Sequence, residues 1–233
     1  MRYFNEELYT FLKQFTIFKT LERNEMEPIV EIAGSKTYKA GTMIFMQDDP
    51  LTDVYFIQEG KVTIYKTDYD GKEQIINVLQ KDDMFPHQGF FRKGNYPAHA
   101  EVLEDANIVN IPILSFENFI LTNPQISIKV FKVLSEIIID LQNRLGEKMM
   151  YTIYDQILLL LLRLAKKNGE IIDDDHHKIT VQLTNSQLAN MIGTSRETVS
   201  RTLTQLKKEA IVSTSTDGYL IVNCTLIEEK VLY

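Results

Sequence analysis

Residues 183–210 read LTNSQLANMIGTSRETVSRTLTQLKKEA. Thr184 stands three residues before Gln187, and Thr194 three before Glu197. Each pair has the spacing of a capping box, in which the Thr hydroxyl accepts a backbone N–H and the later side chain reaches back. The spacing predicts two helices, over residues 185–192 and 195–208. Gly193 between them suits the left-handed conformation that ends a helix, since it has no Cβ to clash. Two short helices joined by a tight turn containing Gly make a helix-turn-helix.

The second predicted helix has two unlike faces. Val199, Leu203 and Leu206 recur at helical spacing and are expected to pack inward. Arg196, Glu197, Ser200 and Arg201 lie together near its N-terminal end and face out. A guanidinium fork matches guanine O6 and N7, a carboxylate accepts from cytosine N4, and the N-terminal turns of such a helix are what meet base edges. An ordinary surface helix can also carry an Arg-Glu-Arg pattern. The coincidence of caps, turn glycine and polar face favours the DNA reader.

Working outward, 233 residues suffice for two domains with real cores. The single cysteine, Cys224, excludes an internal disulfide and any cysteine-only zinc or iron–sulfur site. It reads as a small buried residue in a late strand. The start, MRYFNEELYTFLKQF, lacks a basic segment followed by an apolar core, so no signal peptide is expected. The longest apolar run, residues 157–162, falls far short of the roughly 20 residues that span a bilayer. A cytoplasmic protein with no membrane association is the expectation. The net charge of −7 is unevenly spread: residues 1–150 hold 16 Lys and Arg against 22 Asp and Glu, whereas 151–233 hold 9 against 10. Phosphate contact is local, because screening acts over about 8 Å at physiological salt. An acidic first half is therefore compatible with DNA binding by the second.

Residues 5–33 read as short helices, with Phe11, Phe15, Phe18, Leu21, Met26, Ile29, Val30 and Ile32 as apolar positions. From 36 to 113 the pattern becomes short strands separated by turn signals such as Glu59-Gly60 and Asp70-Gly71, which argues for a sandwich or jelly roll. A short helix over 115–123 closes at Asn123-Pro124. A long helix over 124–149 follows, with Ile126, Val130, Val133, Ile137, Leu141 and Leu145 as one stripe and Phe131, Leu134 and Ile138 broadening it. One stripe is expected on the β domain and another on a second copy of the chain, with Val130, Val133, Ile137, Leu141 and Leu145 as dimer-interface candidates. A helix buried within one subunit is the alternative. Residues 151–168 read as the core helix of the second domain, ending near Gly169. A strand over 179–183 leads into the helix-turn-helix. Segments 211–213 and 219–222 flank Thr216-Asp217-Gly218 as a hairpin wing, either touching the sugar–phosphate backbone or simply solvated.

A β-roll, a long helix and a C-terminal winged helix-turn-helix, in that order, resemble the CRP/FNR family of bacterial transcription regulators. The resemblance covers nearly the whole chain and is most specific in residues 193–201, GTSRETVSR. It implies an α+β fold: a β-roll sensor over 1–123 with its N-terminal helices, a dimerisation helix over 124–150, and a DNA-binding domain over 151–233. It implies that Arg196, Glu197 and Arg201 read a TGTGA-type half-site and that Ser195 touches a phosphate. The DNA-binding candidates are thus Thr184, Ser195, Arg196, Glu197, Ser200 and Arg201. The implied partners are double-stranded DNA, a second copy of the chain and RNA polymerase.

Cyclic-nucleotide binders of this fold carry a Gly-Glu-Leu-Gly run and then an Arg-Ser/Thr pair, the Glu on the ribose and the Arg on the phosphate. Here the corresponding residues read Pro86-His87-Gln88-Gly89 and Tyr96-Pro97-Ala98-His99, with Arg92 and Lys93 in a loop expected to be exposed. A buried phosphate without a guanidinium is costly. The expectation is a homodimeric regulator that acts on a palindromic operator independently of cyclic AMP, with no cofactor. The alternative is a sensor whose β domain binds a cyclic nucleotide, another metabolite, or haem through His87 or His99. His176-His177 after Asp173-Asp-Asp175 reads as a solvated acidic loop rather than a metal site. No nucleophile elbow, P-loop or Gly-x-Gly-x-x-Gly run points to an enzyme.

Overall fold

The computed structural model describes residues 5–15, 17–87, 91 and 94–232. They divide into two compact units, Met1–Asp140 and Leu141–Tyr233. Gln88, Gly89, Arg92 and Lys93, singled out above, lie outside the described residues.

The first unit opens with α1 (Glu6–Leu12) and α2 (Arg23–Val30). Six antiparallel strands follow: β1 (Gly34–Tyr38), β2 (Met43–Phe45), β3 (Asp53–Thr67), β4 (Glu73–Leu79), β5 (Met84–Phe85) and β6 (His99–Pro112). The sheet order is β1-β6-β3-β4, with β2 on β6 and β5 on β3. The long strands β3 and β6 pair from Asp53↔Pro112 to Tyr65↔His99, with register shifts around Glu59 and Lys61. Bulges of this kind bend a strand, which is how two long strands serve a roll. Gly60 sits at that bend with φ +87, and a Cβ there would meet the Asp105 carbonyl oxygen at 2.2 Å.

Four consecutive residues of β3, Val54 to Ile57, are buried. Because strand side chains alternate, Val54 and Phe56 face one core while Tyr55 and Ile57 face another. The first core is helical: Phe11, Phe15, Phe18 and Met26 meet Phe116 and Phe119 of α3 (Ile113–Thr122), with edge-on rings at Phe15–Phe56 and Phe56–Phe116. The second lies inside the roll.

Helix α4 (Pro124–Met150) is continuous. The second unit then comprises α5 (Ile153–Asn168), β7 (Gly169–Ile171), β8 (His176–Ile179), α6 (Asn185–Ile192), α7 (Arg196–Lys208), β9 (Val212–Thr214), β10 (Leu220–Asn223) and α8 (Cys224–Leu232). Its four-stranded sheet has the order β7-β8-β10-β9.

Three expectations need correction here. The strand expected over 179–183 ends at Ile179, because Thr180 turns away to give its N–H and hydroxyl to the Asn168 carbonyl at 2.8 and 2.7 Å. His176 and His177 are not in a loop: they stand in β8, His176 paired with β10 and His177 with both β7 and β10. Cys224 is buried as expected, but it opens a C-terminal helix rather than filling a strand. Asn223 Oδ1 accepts the Leu226 N–H at 2.9 Å and starts that helix. No helix of the described residues is long and apolar enough to cross a membrane.

Candidate nucleic-acid interface

Both caps of the helix-turn-helix are built from short polar side chains. Thr184 Oγ1 accepts the Gln187 N–H at 3.2 Å, and Gln187 Oε1 accepts the Thr184 N–H at 2.8 Å. Gly193 takes the left-handed conformation, φ 77 and ψ 43, and its N–H returns to Ala189 O at 2.8 Å. The Thr194 N–H is drawn to the same carbonyl at 3.0 Å. Thr194 is thereby spent on closing α6, and the second capping box does not form at Thr194. Ser195 caps α7 instead, accepting the Thr198 N–H at 3.1 Å. A cap of this type contributes about 1 kcal/mol.

Val199, Thr202, Leu203 and Leu206 bury the inner face of α7. Arg196, Glu197, Ser200 and Arg201 are all exposed on the opposite face. Glu197 Oε1 and Arg201 Nε stand 3.9 Å apart, one helical turn from each other. An exposed pair of this kind contributes only about 0.3–0.5 kcal/mol, so it holds neither group firmly in place. Thr204 and Lys208 extend the exposed face toward the C-terminal end; α7 ends at Lys207 and Lys208.

Two clamps hold the surroundings of α7, and pattern reading gave no signal for either. At its end Glu209 accepts from Lys230 Nζ at 2.7 Å, Tyr154 Oη at 3.0 Å and Gln205 Nε2 at 2.8 Å. The Lys230 hydrogen bond above all, then those of Gln205 and Tyr154, holds its carboxyl down to about 2. In the wing, Lys178 donates to Asp217 Oδ2 at 2.6 Å and lies over the Tyr219 ring, while Gln182 donates to the Asp217 carbonyl. Lys178 holds the Asp217 carboxyl down to about 2. The Ser215–Tyr219 turn is thus tied to β8 and to the segment after it by side chains more than 30 residues away.

On α4 the expected stripe divides. Val130 is buried in the helical core of the first unit, and Val133 packs against that core. Ile137 is half-buried, while Leu141 and Leu145 are exposed. The solvent-facing line is Ile128, Phe131, Ser135, Ile138, Gln142, Leu145 and Met149, whose spacing alternates three and four. Val130 already has its partners within the chain, so that line displaces it as the free face.

Inside the roll, Phe45 stacks on Tyr96 with ring centroids 3.7 Å apart, and Tyr55 stacks on Phe85 at 5.2 Å. The Tyr96 hydroxyl accepts the Asp53 N–H at 3.1 Å, and burial together with the Tyr96 hydrogen bond pushes the Tyr55 phenol up. None of the buried side chains described in this unit is charged. His99 lies against Tyr65 and accepts the Gln47 N–H on Nδ1 at 3.1 Å. His176 is bonded to Asp173 and Asn223, and His177 to the Ala165 carbonyl.

The architecture is a β-roll, a long helix and a winged helix-turn-helix, in that order. Residues 35–123 match the cyclic nucleotide-binding domain, and residues 156–229 match the Crp-like helix-turn-helix domain. The chain belongs to the CRP/FNR family of bacterial transcription regulators. It is 25% identical over 198 residues to the anaerobic regulatory protein of Bacillus subtilis, spanning 84% of this chain and 83% of that one. It is also 25% identical over 187 residues to a CRP-like cAMP-activated global transcriptional regulator of Mycobacterium tuberculosis, spanning 80% and 83%. Among solved structures, FixK2 from Bradyrhizobium japonicum superposes with a TM-score of 0.73 at 20% identity, covering 85% of this chain and 96% of that one, which shows the shared fold.

Proposed function

We propose that this transcription regulator works as a homodimer on a palindromic operator, without cyclic AMP. The observation that carries the reading is the exposed set Arg196, Glu197, Ser200 and Arg201 on a helix whose other face is buried. Arg196 and Arg201 supply guanidinium forks for guanine, Glu197 accepts from cytosine N4, and Ser200 lies between them for either. Thr184 and Ser195 stand at the starts of α6 and α7, where free backbone N–H groups and hydroxyls meet phosphates. The half-site is of the TGTGA type, and two half-sites lie with centres about 34–36 Å apart.

The dimer forms along the line from Ile128 to Met149. Its 3.5-residue period is that of two helices packing knobs into holes. Residues 124–150 are the dimerisation helix, 1–123 the regulatory domain and 151–233 the reader. RNA polymerase is the further partner, and the cytoplasm the compartment.

Independence of cyclic AMP is supported by what fills the roll. Phe45, Tyr55, Phe85 and Tyr96 occupy its interior with apolar rings. Pro97 and Ala98 stand where binders of the nucleotide carry their Arg-Ser pair. Among the described residues, no buried cation stands there to compensate a phosphate. Binding to a TGTGA…TCACA palindrome over a salt series tests the DNA reading. Failure of that palindrome to outcompete random duplex refutes it. Calorimetry with cyclic AMP tests the effector reading, and saturable binding refutes that part.

A further inference from the structure

The corner between α4 and α5 is only two residues, Tyr151 and Thr152, and both are tied down. The Tyr151 N–H continues the ladder of α4 to Glu147 O at 3.1 Å. Its carbonyl accepts from Gln156 Nε2 at 2.9 Å, and Gln156 is a buried side chain. Thr152 and Asp155 form a reciprocal capping box at the start of α5.

Two neighbouring side chains of the last turns of α4 then reach past this corner into the same unit. Glu147 takes Arg163 Nη1 of α5 at 2.8 Å on both carboxylate oxygens, with both side chains largely shielded from solvent. Lys148 donates to the Ile192 carbonyl. Ile192 is the last residue of α6, and the next is the turn glycine, Gly193. A helix C-terminus presents unpaired carbonyls and the negative end of the helix dipole, so an ammonium is well placed there. The last turns of α4 are therefore bonded directly to the segment that aims α7.

We propose that Glu147 and Lys148 are positioning residues that fix the helix-turn-helix to the end of α4. Through them the last turns of α4 hold the segment that aims each recognition helix. This inference rests on the homodimer reading above. Its consequence is selectivity for half-site spacing. Two readers held rigidly accept one spacing, whereas readers on a loose corner accept several.

The test measures affinity for a set of palindromes whose half-sites are moved apart by one, two and three base pairs, each value taken relative to that protein's best operator. The wild type is expected to lose about fivefold or more in affinity per unfavourable spacing, in the range usual for energetically coupled sites. E147Q/K148M is expected to flatten that profile to within about twofold, and K148R, which keeps a cationic donor, to retain it. Lys148 is exposed, so the single variant K148M carries the test if the double variant does not fold. Thermal melts and sedimentation of the same proteins separate a flattened profile from simple loss of fold or of dimer. A wild-type dimer whose spacing profile survives unchanged in K148M refutes the positioning role alone. A wild-type protein that stays monomeric refutes the dimer reading, and the positioning role falls with it.

Discussion

Truncating the solvent-facing line of α4 should dissociate the protein without unfolding it. Phe131, Ile138 and Leu145 are 67%, 54% and 63% exposed within one protomer. Full burial of such a side chain is worth about 1.5–3 kcal/mol. With roughly six-tenths of each surface still open, docking a second copy recovers about 1–2 kcal/mol per side chain, and about 2–4 kcal/mol per position because two-fold symmetry uses each position twice. Ile138→Ala or Leu145→Ala should therefore raise the dimer dissociation constant by about 30- to 700-fold, at about 1.4 kcal/mol per tenfold. Sedimentation velocity over a concentration series reads this directly, and the melting temperature extrapolated to the monomer should barely move. Two controls bracket it. Ile171→Ala removes a still more exposed apolar side chain from β7 and should leave the dimer intact. Val130→Ala opens the helical core of the first unit and should lower the melting temperature instead. If I138A and L145A dissociate no more readily than I171A, the 3.5-residue line is not the seam.

Arg201→Ala and Arg196→Ala should each weaken operator binding by about 1–3 kcal/mol and relax selectivity at one base position, measured by anisotropy on single-base operator variants. Gly60→Ala should destabilise the first unit by about 2 kcal/mol or more in urea unfolding, because φ +87 is strained for Ala and its Cβ would collide with the Asp105 carbonyl. The Glu209 and Asp217 carboxyls are held down to about 2, from ordinary values of 4.5 and 3.8. Folded values below unfolded ones mean that their contribution is complete above about pH 5 and fades as pH falls toward 2. The melting temperature should drop across that window, and less steeply in Glu209→Gln.

Much of the reader was legible beforehand because helix signals are local. Thr184, Gln187 and Gly193 act within one or two turns of the chain, and their roles follow from spacing. The Thr194 cap was misplaced for a reason no spacing reveals. Ala189 O accepts from both Gly193 and Thr194, so the Thr194 amide belongs to the close of α6 and Ser195 caps α7 one residue later. Helix α8 went unseen because it begins directly after β10, with Asn223 both ending that strand and opening the helix. Glu209–Lys230 and Lys178–Asp217 join residues 21 and 39 apart, and charges at such distances look like any other surface charge until the fold brings them together.

The helix α4 shows where the division falls. Its apolar periodicity alone predicts a helix with more hydrophobic surface than one neighbour can cover. Which side chains face inward depends on where Phe18, Phe116 and Ile126 stand in three dimensions, and that arrangement takes Val130 into the core while leaving Ile128, Phe131, Ile138 and Leu145 outside. Likewise, the order of residues 193–201 alone puts Arg196, Glu197, Ser200 and Arg201 on one face of α7, since helical spacing decides which side chains share a face. The direction in which that helix is aimed depends on Lys148 and Ile192, 44 residues apart, and on Arg163 holding Glu147. Local chemistry is written along the chain. Orientation comes only from contacts between distant segments, which exist once the chain has folded.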